Sequence, residues 1–325
     1  MNILTIGTSI ITTHFIDAVM KSQFSKIKAV YSRDMKKAVS LAYPLGALAY
    51  DDLDKALKDE SVDTVYVASV NYLHFEHALK ALQARKHVIL EKPVTCNEEE
   101  FIALMQVANR NNVYLFEAIT TLHLPNYQWI RDHLHWLGSI KHIHASYHQY
   151  SSKYQAYLNH EEPNVFNLKT GGGCLVDLNV YNLHFILSLW PNIEEANYIP
   201  VLGYNGVDLS GVAVLKYPTF IAVASASKTH DGTQKVVIEG EHGVMEVSSA
   251  ANKLKQVTLT LSDQVLMSSY DQEGNALVSE VLAFEKMIQE QDVEKVKQLN
   301  EESRHVITIM SGMRRNASLF MKGEE

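Results

Sequence analysis

His87-Val88-Ile89-Leu90-Glu91-Lys92-Pro93-Val94 decides how the N-terminal third of the chain is read. The run His87 to Leu90 is apolar, β-branched and short, which predicts a buried strand. Pro93 has no N–H for a ladder and turns Lys92 away from helical angles, so the strand ends there. In an open parallel sheet, ligands sit beyond the carboxyl ends of the strands. Lys92 is therefore expected at that crevice, carried by a rigid dipeptide.

Upstream of this stretch, Asn2 to Ile6 predicts another apolar strand. Gly7-Thr8-Ser9 follows, and Ile10, Ile11, Phe15, Ala18 and Val19 fit one face of a helix. Strand, glycine turn and helix make a phosphate-binding corner, with the helix N-terminus facing a pyrophosphate. Its expected residues are Gly7, Thr8, Ser9, Ile10 and Ile11, although Ser9 and Thr12 replace the later glycines of G-x-G-x-x-G. The next strand, Ile27 to Tyr31, ends at Ser32-Arg33-Asp34, where a ribose-reading acid is expected. Ser32 and Arg33 suit a 2′-phosphate, so NADP is favoured. Asp34 caps the following helix, or supplies the acid and keeps NAD possible. A helix over 51–58, a strand over 64–68 and a helix over 74–84 come next. Beyond the opening strand, Asn97 and Glu100 form a capping box for a helix over 97–111, before a strand over 113–116. This alternation predicts a doubly wound parallel nucleotide domain over 1–118.

The pattern changes after Glu117. Pro125 opens a helix, and Ile140 to Tyr150 predicts a strand. A polar loop over 164–173 carries three glycines and leads into a helix from Val176 to Trp190, apolar nearly all round. Runs at 212–217, 220–225, 235–239 and 257–261 predict strands. Asp231-Gly232 and His242-Gly243 suggest hairpins in a mainly antiparallel sheet. Helices over 276–289 and about 295–320 finish a second domain, 119–325.

Gly7-Thr8-Ser9, Ser69-Val70-Asn71-Tyr72-Leu73-His74, Glu91-Lys92-Pro93 and Gly171-Gly172-Gly173-Cys174-Leu175-Val176-Asp177-Leu178-Asn179-Val180-Tyr181 occur in one order. With them the chain resembles the Gfo/Idh/MocA oxidoreductases over essentially its whole length. The resemblance is to the branch with glucose-fructose oxidoreductase and dimeric dihydrodiol dehydrogenase. It implies an α/β protein, an N-terminal Rossmann domain plus a C-terminal α/β domain with a large, mainly antiparallel open sheet. It also implies hydride transfer between NAD(P) and a sugar, polyol or related hydroxy-carbonyl compound. Cofactor contacts are implied at Ser69, Asn71, His74, Glu91, Lys92 and Pro93, and catalytic roles at Lys92, Asp177 and Tyr181. Relatives of this type pair through the open sheet, so a homodimer or homotetramer is expected. Val70 stands where a proline is frequent. Leu122 stands where many relatives have Arg, which argues for a neutral substrate.

Tyr181 is the expected proton donor, with Lys92 lowering its pKa and Asp177 orienting Lys92 or a substrate hydroxyl. Asp177 and Tyr181, four residues apart, are expected on one helix face, with His184 a turn further on. His142, His144 and His148 share one strand face, better read as a polar subunit surface than as a metal site. The composition is globular, with 46% of residues apolar and 20% charged. A net charge of −8 gives no electrostatic case for nucleic acid or an anionic membrane. No apolar run approaches the roughly 18 residues of a bilayer span. Two cysteines and no signal-like N-terminus point to the cytoplasm. Two alternatives stay open: a nucleotide- or metabolite-sensing regulator on the same fold, favoured by the worn glycine motif, and an NAD-cycling glycosidase.

Overall fold

The computed structural model describes residues 1–270 and 274–321; of the expected 119–325 region, 271–273 and 322–325 lie outside. The chain forms two compact units, Met1–Ala118 with Glu273–Arg304, and Ile119–Gln272 with His305–Glu325.

Unit 1 alternates strands and helices: β1 (Asn2–Ile6), α1 (Ile10–Met20), β2 (Lys26–Tyr31), α2 (Met35–Ala42), β3 (Leu48–Tyr50), α3 (Leu53–Leu57), β4 (Thr64–Val67), α4 (His74–Gln83), β5 (His87–Glu91), α5 (Glu98–Asn111) and β6 (Leu115–Ala118). All pairs are parallel, in the order β3-β2-β1-β4-β5-β6. That order reverses direction between β1 and β4, which opens a crevice at their carboxyl ends. β4 is buried along its length, and β5 is buried from Val88 onward. Asn97 caps α5 by accepting a hydrogen bond from the Glu100 N–H at 2.9 Å. Glu100 Oε2 accepts from the Cys96 N–H at 3.2 Å, one residue before the cap.

Unit 2 comprises α6 (Pro125–His133), β7 (Ile140–His148), α7 (Tyr154–Leu158), α8 (Val180–Leu189) and strands β8 (Glu195–Leu202), β9 (Asp208–Lys216), β10 (Ile221–Ser227), β11 (Gln234–Gly240), β12 (Gly243–Val247), β13 (Val257–Leu261) and β14 (Val265–Ser268). They form one sheet in the order β14-β13-β12-β11-β7-β10-β9-β8. It is antiparallel except for the parallel pair β7 and β10. His242-Gly243 makes the expected hairpin between β11 and β12. Asp231-Gly232 does not, because β7 lies between β10 and β11 and pairs with both. Small inner residues, Ala145, Ala213, Ala222 and Ala224, are buried, and α8 packs on this face. The other face carries half-buried His142 and His144 and exposed Val212 and Ile221.

The sequence places α9 (Leu277–Glu290) and the start of α10 (Val293–Asn316) in the second domain; in the structure they pack with unit 1. Leu277, Val281, Phe284 and Met287 enter the core around Phe15, Tyr66 and Phe116, with Phe284 stacked on Phe116 at 4.5 Å. Among the described residues, no helix is long and apolar enough to cross a membrane.

Candidate active site

In unit 1 the phosphate corner is built on close approach. Gly7 has φ +116°, and a Cβ there would stand 2.5 Å from the Ala68 carbonyl oxygen at the end of β4. Only glycine lets the two strand ends come so near. Ser9 caps α1 in an extended conformation without a side-chain capping bond; its hydroxyl lies 3.4 Å from the Thr12 hydroxyl. Ser9 and Ile10 are exposed, Thr8 and Ile11 half-buried, and Thr12 fully buried. Thr12 thus fills space behind the turn, while the first N–H groups of α1 are left for an anion. This cradle fits the pyrophosphate of a dinucleotide.

At the end of β2 the Ser32 hydroxyl accepts from the Asp34 N–H at 3.2 Å, and Asp34 accepts from the Lys36 N–H at 3.0 Å. The second bond is the expected cap of α2. Arg33 is exposed beside it. Its charge also reaches His77, which is held below the usual imidazole range chiefly by burial, with the Lys80 and Arg33 charges adding to it. His77 Nδ1 lies 3.0 Å from the Ser69 hydroxyl, so the ends of β2 and β4 share one electrostatic neighbourhood. Asn71 follows as a half-buried residue in a single 3₁₀ turn.

His74 is wholly buried, with Nδ1 2.9 Å from the Pro93 carbonyl and Nε2 3.1 Å from the Ser69 carbonyl. Burial outweighs those two contacts and pushes its pKa down to about 4. His74 thus fills the space between the ends of β4 and β5, and in its neutral form its single N–H donates to one of the two carbonyls. Glu91 is a second brace. Its carboxylate accepts from the Tyr66 hydroxyl at 2.6 Å and the Lys92 N–H at 3.3 Å, and burial raises its pKa. Glu117 accepts from the Val94 N–H at 3.0 Å. Between these supports, the Lys92–Pro93 peptide is cis, Pro93 is buried and Lys92 is half-buried.

In unit 2 the expected regular helix from Val176 begins instead with a π turn over Leu175–Asn179, and α8 starts at Val180. Asp177 lies in that wider turn and Tyr181 in the first α turn, so they do not share one regular α-helical turn. The turn is held from both ends. Leu175 N–H donates to Asp208 at 2.7 Å, and Asn179 and Asn182 amides donate to the Ala224 and Ser225 carbonyls. Asp208 also accepts from the Tyr198 hydroxyl at 2.8 Å; burial pushes the Asp208 pKa up to about 6. Gly172 and Gly173 are held by close packing. A Cβ at Gly172 would stand 2.3 Å from the Asn164 oxygen, and one at Gly173 2.2 Å from an Asp208 oxygen.

Asp177 pairs with Lys228 at 2.8 Å, a lysine that is only 1% exposed. Tyr181 is half-buried, 6.1 Å from the ring of Tyr147. His184 is buried in α8. Burial, with the Asp208 charge adding to it, pushes the Cys174 thiol well up, which leaves it un-ionised and a poor nucleophile. Sequence reasoning missed Asp208, Tyr198 and Lys228. Tyr198 and Asp208 sit on β8 and β9 and Lys228 just after β10, all with no local motif, and only the pairing of the sheet brings them to the π turn.

The family model described as "Oxidoreductase family, NAD-binding Rossmann fold" matches residues 1–119, and "GFO/IDH/MocA C-terminal domain" matches 130–246. The chain is 31% identical to scyllo-inositol 2-dehydrogenase (NADP(+)) IolU of Bacillus subtilis, covering 98% of each chain. It is 32% identical to uncharacterized oxidoreductase YgjR of Escherichia coli, covering 88% of this chain and 87% of that one. The crystal structure of KijD10, a 3-ketoreductase from Actinomadura kijaniata with NADP and TDP-benzene, superimposes with a TM-score of 0.83 at 21% identity over 97% of each chain.

Proposed function

The chain belongs to the GFO/IDH/MocA family of NAD(P)-binding oxidoreductases, and on that premise we propose that it is an NADP-linked dehydrogenase of a neutral cyclic polyol or sugar. The observation that carries the substrate class is the full-length likeness to scyllo-inositol 2-dehydrogenase (NADP(+)). When bound, the nicotinamide supplies or accepts the hydride. Gly7, Thr8, Ser9, Ile10 and Ile11 hold the pyrophosphate, and Ser32 and Arg33 hold the 2′-phosphate. Tyr181 gives a proton to the substrate oxygen in reduction and takes it back in oxidation. Lys92 supplies positive charge for that transfer, and Asp177 accepts a hydrogen bond from a neighbouring substrate hydroxyl. A pair of copies joined through the open sheet face is the expected assembly.

The co-occurrence of Lys92, Asp177 and Tyr181 favours an enzyme over a regulator on this fold. Fluorescence titration tests the cofactor assignment. NADPH is expected to bind at least about tenfold tighter than NADH, a gap of ~1.4 kcal/mol. Arg33→Ala should close that gap. Equal affinities in the unaltered protein would overturn the NADP preference, and no binding of either nucleotide would bring the regulator forward.

A further inference from the structure

We propose that Lys228 is the positioning residue for Asp177. The inference rests on the reading of Asp177 as a substrate-contacting group. Lys228 follows β10, and its ammonium, 1% exposed, has three partners. It lies 2.8 Å from Asp177 Oδ2, donates to the Val165 carbonyl at 2.6 Å, and sits 4.4 Å above the Phe166 ring. Its own backbone is pinned on both sides: Lys228 N–H donates to the Leu209 carbonyl, and its carbonyl accepts from the Ser151 N–H. A flexible side chain is thereby reduced to one position behind the carboxylate.

Two consequences follow. Asp177 lies in a π turn, where backbone hydrogen bonding is less regular than in an α-helix, so the direction of its carboxylate depends on an outside partner. Lys228 is such a partner, and it also ties the turn to the 164–166 loop, against which Gly172 packs and whose Val165 carbonyl accepts from the Gly173 N–H. The pair also carries no net charge. A charge-balanced carboxylate accepts a bond from a neutral hydroxyl without needing a cationic ligand. Lys228 thus sets both the geometry of Asp177 and its preference for uncharged polyhydroxy compounds.

The test is a double-mutant cycle on the full chain, with scyllo-inositol and NADP(+) as probes, beside hydrogen exchange over 164–177. Lys228→Met is expected to raise KM about tenfold or more with kcat changed by less than about threefold, the pattern of lost binding common to ground and transition states. Lys228→Arg should recover most of that loss. Added to Asp177→Asn, Lys228→Met should cost nothing further, because each removes the same interaction. Exchange over 164–177 should quicken in Lys228→Met and not in Lys228→Arg; this readout decides alone if scyllo-inositol is not turned over. Unchanged KM and exchange in Lys228→Met, or a loss that multiplies with that of Asp177→Asn, overturns the proposal. Full activity in Asp177→Asn instead overturns the reading of Asp177 itself, and the proposal with it. If Lys228→Met does not fold, Lys228→Gln replaces it under the same criteria.

Discussion

Lys92, Tyr181 and His74 are the residues on which the account can be tested one at a time. Tyr181→Phe removes only the proton that the reaction moves, so kcat should fall by roughly 10²–10⁴ while NADPH binding is kept. Lys92→Met should show the same split. Stopped-flow rates and fluorescence titration separate the two properties. His74 makes a prediction about stability. Its pKa is about 4 in the fold against 6.5 for the ordinary ring. On acidification the unfolded chain therefore takes up the proton first. About 3 kcal/mol of stability, full above pH 6.5, is lost as pH falls towards 4. Asp208 acts in the opposite sense, because its raised pKa makes the fold bind a proton below about pH 6. Comparing His74→Gln with the unaltered protein at matched pH isolates the histidine: denaturant midpoints that separate at pH 7 should converge towards pH 4.5. Lys92 was legible because a proline and a strand end announce it. Lys228 was not, because its partner Asp177 lies 51 residues earlier and neither residue marks the other.

The elements divide in the same way. β1, β4 and β5 read clearly from the sequence because parallel strands covered on both faces are near-continuous apolar runs, whereas β2 carries Lys26 and Lys28 and β6 begins two residues later than expected. β3 is three residues long and begins at exposed Leu48, so it leaves no such run. β8 is an edge strand with Ile199, Val201 and Leu202 exposed and Pro200 inside it, so apolar–polar alternation fails there. The parallel insertion of β7 beside β10 has no local signature at all. The glycine run before α8 is visible in the sequence, but the close packing that Gly172 and Gly173 serve is not. At Gly173 φ is +132° and a Cβ would stand 2.2 Å from an Asp208 oxygen, so no side chain fits there without displacement. Gly173→Ala should lower stability by at least about 2 kcal/mol in urea unfolding, and should disturb substrate binding more than cofactor binding. An unchanged midpoint would mean that the π turn moves aside freely.

At the scale of the whole molecule, the boundary after Ala118 is where the sequence reading divides the chain, whereas the return of Glu273–Arg304 to unit 1 was hidden. The stripe on α9 showed only that something would be covered, not which core would cover it. The open face of the large sheet raises the same question between chains. Exposed Val212 and Ile221 stand beside an open concavity of about 520 Å³ lined by His142, His144, Lys235, Glu239 and Glu246. Val212→Lys with Ile221→Lys places two ammonium groups on that face; light scattering is expected to show a dimer or tetramer for the unaltered chain and a monomer for the double variant. The central claim, hydride transfer at a polyol carbon, is tested most directly by reduced-cofactor formation at 340 nm from NADP(+) and a panel led by scyllo-inositol. NADPH is expected to form with at least one neutral cyclic polyol or sugar, and its formation to be lost in Tyr181→Phe and Lys92→Met although both bind NADPH. Turnover that survives in both variants, or bound nucleotide that no member of the panel reduces, would contradict it.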